Sequence, residues 1–116
     1  MSDTAWTSPG MTAGRPDRYQ SRTLAGCTIS AGSNGRAPSG AYIGGDSAPW
    51  SCERTGLTEH EAARLIAAMG RGYVLPDPAS PIEHRVVRVS GVADDQAEAI
   101  ALAEAAAVEM AREVAS

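Results

Sequence analysis

The chain has 116 residues and a formal net charge of −4, a length that allows a single domain and an acidic balance that repels phosphate, which speaks against broad electrostatic binding to nucleic acid. Alanine is the largest share of its 43% apolar content. Phe is absent and Leu, Ile and Val together number 17, about 15% of the chain against the roughly 20% below which disorder becomes a live issue.

The low net charge argues against wholesale disorder. What remains is a small domain with a thin core, and such domains lean on a partner, an oligomer, a metal or a disulfide. All basic residues are Arg and none is Lys, a compositional mark of a GC-rich genome. No stretch of about 18 apolar residues exists to span a membrane. The opening Met1-Ser-Asp-Thr-Ala-Trp6 has neither a basic region nor an apolar core, so no secretion signal is read there. The expected location is cytoplasmic, or within an assembled virion, with Cys27 and Cys52 as reduced thiols.

Residues 1–22 are polar and broken by Pro9, Gly10, Gly14 and Pro16, so they read as an extended N-terminal arm. Trp6, Met11 and Tyr19 are spaced along it, and isolated aromatic or thioether side chains in a polar segment are what an extended chain uses to anchor on another surface. Residues 23–116 form the domain. From Thr23 to Ser30 the alternation of Ala25, Cys27 and Ile29 with polar neighbours predicts one strand. Asn34-Gly35 and Pro38-Ser39-Gly40 turn the chain, and Ala41-Tyr42-Ile43 is expected to return as its hairpin partner. Residues 44–56, with Gly44, Gly45, Pro49 and Gly56, read as an irregular segment holding Trp50 and Cys52.

Thr58 followed by Glu61 is a capping box with Leu57 as staple, predicting a helix over 59–69 that Gly70 ends. Ala62, Leu65, Ile66 and Met69 give it an apolar stripe. The stretch Leu57-Thr58-Glu59-His60-Glu61-Ala62-Ala63-Arg64-Leu65-Ile66 resembles the opening helix of the excisionase and MerR-type winged helix-turn-helix. That resemblance implies a turn and a recognition helix for the major groove, whereas the sequence goes on through Gly70-Arg71-Gly72 to the short strand Tyr73-Val74-Leu75 and a link stiffened by Pro76, Pro78 and Pro81.

Arg85 to Val92, with valines on both faces, predicts a central strand. The last element is a long helix over about 93–115, with Asp94, Asp95 and Glu98 at its positive end and no Gly or Pro inside. Ile100, Ala103, Ala107, Met110, Ala111 and Val114 share one face. Its centre, Ala103, Ala107 and Ala111, is small enough to let a neighbouring backbone approach closely, either the chain's own sheet or a self-association seam. The expected fold is α+β: a small, mostly antiparallel sheet with both helices on one face, preceded by the arm.

Cys27, Cys52, His60 and His84 make a Cys2His2 set, but no two have the C-x2-C or H-x3-H spacing of a structural zinc site. Neither a metal nor a cofactor is therefore expected. Cys52 could serve a thiol or metal enzyme with His60 or His84 as base, although its surroundings match no nucleophile motif. The glycine-rich Ala31 to Asp46 lacks a phosphate-loop pattern. The reading that follows is a non-catalytic accessory or assembly protein, docking on a protein partner or on further copies of itself through Trp6, Met11, Tyr19, Ala103, Ala107 and Ala111. The alternatives are a small DNA-binding regulator using the helix at 58–69 and an enzyme using Cys52.

Overall fold

The computed structural model describes residues 3, 4, 6, 19–32, 45, 47–77 and 84–115. The architecture is the expected α+β class: strands β1 (Tyr19–Leu24), β2 (Cys27–Gly32) and β3 (Ala48–Leu57), helix α1 (Glu59–Met69), strands β4 (Tyr73–Pro76) and β5 (Arg85–Ala93), and helix α2 (Gln96–Ala115). The five strands form one antiparallel sheet in the order β1-β2-β3-β5-β4. Both helices lie on one face of it.

Two local departures from the sequence reading have clear causes. The single strand expected over Thr23 to Ser30 is a tight hairpin, because Ala25 and Gly26 both adopt positive φ, 52° and 81°, as a two-residue turn of the primed type requires. Left-handed backbone is costly for Ala, and two contacts hold it there: the Ala25 N–H donates to Asp3 Oδ1 at 2.9 Å, and Arg54 donates to the Ala25 carbonyl at 2.8 Å. The segment read as irregular over 44–56 contains β3, the middle strand. Ala48, Trp50 and Cys52 point inward and Pro49, Ser51 and Glu53 outward. Gly56, at φ 72°, lies in an irregularity of the pairing between Arg54 and Leu57, which bends the strand end toward α1. The hairpin partner expected at Ala41-Tyr42-Ile43 lies outside the described residues, as does Met11.

Helix α1 begins and ends as its sequence predicts. Thr58 and Glu61 exchange hydrogen bonds, Thr58 N–H to Glu61 Oε1 at 2.9 Å and Glu61 N–H to Thr58 Oγ1 at 3.1 Å, and Gly70 closes the helix in the left-handed conformation. Helix α2 begins three residues later than expected. β5 continues to Ala93, and Asp95 then accepts the Glu98 N–H at 2.8 Å, satisfying one of the first-turn amides that have no partner inside the helix.

The core lies between the sheet and the helices. Ile29, Leu65, Met110, Val87, Val89, Cys27 and Cys52 are its largest fully buried side chains, Trp50 is 3% exposed, and eight of the other buried residues are alanines. Ala99, Ala103, Ala106 and Ala107 of α2 are all buried. With four of its five buried residues alanine and Met110 the fifth, the helix settles close on β2 and β3, and a contiguous core forms with few large side chains.

Candidate functional site

Antiparallel register gives directly paired residues the same side of a sheet, so the pairings define two faces. On the face turned away from the helices, Ser21, Ser30, Ser51 and Ser90 stand side by side across four strands. At the usual strand separation this row is roughly 14 Å long. The next row crosses all five strands as Thr23, Thr28, Glu53, Arg88 and Tyr73. Thr28 and Ser90 are exposed, Tyr73 is 45% and Val92 66% exposed, while Cys27, Ile29, Val87 and Val89 on the other face of β2 and β5 are buried. No described element covers this face.

At the β4 end of the rows Arg88 holds three groups together. It forms an ion pair with Glu53, lies over the Tyr73 ring with its guanidinium carbon 5.9 Å from the centroid, and donates to the Tyr73 hydroxyl at 3.5 Å. The Tyr73 hydroxyl and then the Glu53 carboxylate push the Arg88 pKa further up, so its charge is permanent and internally compensated. A hollow opens on either side of this arginine. One is walled by Pro49, Ser51, Tyr73, Ser90 and Val92, the other by Thr55, Leu75, Pro76, Asp77 and Val86.

Beneath α2 the covered face carries an unusual cluster. Cys27 on β2 and Cys52 on β3 both point inward and both are fully buried. The Met110 thioether lies 3.9 Å from Cys27 Sγ and 3.8 Å from Cys52 Sγ. An Arg54 nitrogen stands 3.9 Å from Cys27 Sγ. The hydrogen bond from Cys52 and the guanidinium of Arg54 bring the Cys27 thiol down to about 7, against the opposing effect of burial. The Cys52 thiol, donor in that bond and buried, is pushed up.

The residues singled out in the sequence are distributed otherwise than a partner-binding surface would have them. Trp6 is half-buried against its own chain: its indole N–H donates to Glu104 Oε2 at 2.9 Å, the same oxygen takes a 2.7 Å ion pair from Arg22, and Arg22 lies 6.0 Å from the Trp6 centroid. Thr4 N–H meanwhile donates to the Thr23 carbonyl and Thr23 N–H to Thr4 Oγ1, both at 2.8 Å, so the described part of the arm lines the outer edge of β1. Tyr19 opens β1 opposite Gly32, which puts the expected boundary between residues 22 and 23 inside a strand. Ala103 and Ala107 are 0% exposed beneath α2 and Ala111 is half-buried. Ala103 and Ala107 are therefore covered by the protein's own sheet, which corrects their assignment as partner contacts, while Ala111 stays partly exposed.

His60 is exposed in the first turn of α1 and His84 precedes β5. Among the described residues no group of three or more His, Cys, Asp or Glu comes together, so the four Cys and His residues do not assemble. Helix α1 is followed by β4 and not by a second helix, which leaves the helix-turn-helix resemblance without its recognition helix. The serine row and the sulfur cluster escaped sequence reading because their members are far apart in the chain. The alternation within β3 was the one signal that could have found them. Compared with family models, with curated proteins and with solved structures, the chain matches none.

Proposed function

We propose that this protein is a non-catalytic docking protein, an accessory or assembly subunit that engages another protein through the open face of its sheet. The observation that carries the reading is that face itself: a flat field of hydroxyls with an aromatic ring, exposed Val92 and two hollows on either side of Arg88. Its chemistry selects the partner. Arg88 is neutralised by Glu53, so the face offers little to a phosphate backbone. Serine and threonine hydroxyls donate and accept equally well, which suits the mixed polar groups of a protein surface, and the hollows suit two apolar side chains flanking a polar strip. Small subunits of multi-subunit complexes and virion decoration or connector components are settings this design fits.

The test is the native mass of the protein isolated from its own cells. A species well above 12.0 kDa is expected for the natural protein. The Tyr73→Ala, Val92→Asp double variant should run as a monomer that is still folded by circular dichroism, with a melting temperature lowered only by the lost Arg88–Tyr73 contacts, since both positions lie outside the core. A natural protein that is monomeric would overturn the reading. Retention on DNA that falls steeply with salt would replace it with a nucleic-acid partner.

A further inference from the structure

We propose that Cys27, Cys52 and Met110 form a binding site for one soft monovalent metal ion of the copper(I) type, held in the core between β2, β3 and α2. Three observations combine. Met110 Sδ is equally close to both thiols, at 3.9 and 3.8 Å, and all three side chains are fully buried. The donor set is two thiols and a thioether, and among the described residues no carboxylate or imidazole joins it. Such a set selects soft ions over zinc, calcium or magnesium.

The third observation is Arg54, a cation placed beside a buried thiol. Its guanidinium stands 3.9 Å from Cys27 Sγ while bonding the Ala25 carbonyl. Two thiolates and a monovalent cation leave one net negative charge in a buried place. A single arginine balances it, and without that balance the burial is costly. The same side chain covers Gly26, where an added Cβ would fall 2.9 Å from Arg54 Nη1. Half-exposed Arg54 of β3 thus spans from the β1–β2 turn to Cys27. Ligation requires both thiols deprotonated.

The experiment uses the full chain, reduced and kept anaerobic, titrated with copper(I) delivered as its bicinchoninate complex. One equivalent should transfer to the protein and produce a thiolate-to-copper absorption in the ultraviolet, whereas zinc under the same conditions should not be retained in stoichiometric amount. Met110→Leu keeps the core volume and costs little stability, so it tests the third ligand in a folded protein and should weaken retention at least tenfold. The Cys27→Ser, Cys52→Ser double variant should retain none. The proposal is overturned if the natural protein leaves copper with the chelator. It is equally overturned if Met110→Leu, shown folded by circular dichroism, holds copper as tightly as the natural chain.

Discussion

The two faces of the sheet are built by the same strands, residue by residue, from opposite alphabets. Toward the helices the strands show Cys27, Ile29, Ala31, Ala48, Trp50, Cys52, Val87 and Val89, all buried; away from them the neighbouring positions are Thr28, Ser30, Pro49, Ser51, Glu53, Arg88 and Ser90. Neither face is bulky, and the contrast separates two jobs. The covered face gains its stability from closeness, small side chains letting a helix approach until dispersion contacts are dense. The open face is too polar to aggregate by itself yet flat enough for a partner to lie on. Scarcity of large apolar residues therefore does not by itself make the chain dependent on a companion, because close approach of α2 replaces bulk.

If the covered face carries the stability, its one large side chain is where the contrast breaks first. Trp50→Ala should cost about 3–5 kcal/mol, measured by denaturant unfolding followed by circular dichroism. An intact midpoint would mean that Trp50 is not the centre of the core. Gly91 faces Trp50 directly across the β3–β5 pair, and an added Cβ would fall 2.9 Å from the indole nitrogen. Closeness itself is tested by Ala107→Leu, which inserts three carbons where none fits and should cost about 1–3 kcal/mol. A leucine accepted there without loss would show that α2 stands off from the sheet.

Much of this architecture was legible because it is locally encoded. Thr58 with Glu61 and then Gly70 state where α1 starts and stops, and the β-branched run of β5 needs no tertiary information. The middle strand was not legible, because Pro49 and Gly56 mark a loop by local chemistry. Pairing with β2 and β5 overrides that preference, and the bulge absorbs the glycine. The hairpin was hidden because Ala25-Gly26 takes the place of the Asn-Gly that ordinarily announces a primed turn, its Ala held by Asp3 and Arg54 from distant parts of the chain. Ser21, Ser30, Ser51 and Ser90 become neighbours only once register is known, and so do Cys27, Cys52 and Met110. Trp6 did read as an anchor, but charge decided whose: Glu104 and Arg22 of the same chain engage it.

A cap lies on neither face and gives the scale between them. Thr58→Ala should cost about 1 kcal/mol, read as a drop in the melting temperature. The pH dependence follows from Glu61, whose carboxyl is held below its ordinary 4.5 by the Thr58 backbone N–H and then its hydroxyl. A group whose folded pKa lies below its unfolded one contributes stability that is complete above the unfolded value and is lost as pH falls through the folded one. The natural protein should therefore lose this contribution as pH falls below about 4.5. Glu61→Gln should show a shallower decline over the same range.

The smallest effect is the most discriminating. Ser51→Ala and Ser30→Ala remove adjacent hydroxyls from the middle of the serine row, where the side chains are half-exposed and lie outside the core. Substitutions of that kind stay within about 0.5 kcal/mol, so neither variant should move the unfolding midpoint measurably. If the row exists to meet a partner, the pair together should still lower the amount of protein recovered in the high-mass species, while Trp50→Ala lowers recovery only through unfolding. Measuring both quantities on both variants places each face on its own axis. Loss of stability from the serine pair would show that the hydroxyls hold the sheet together and would collapse the distinction between the faces.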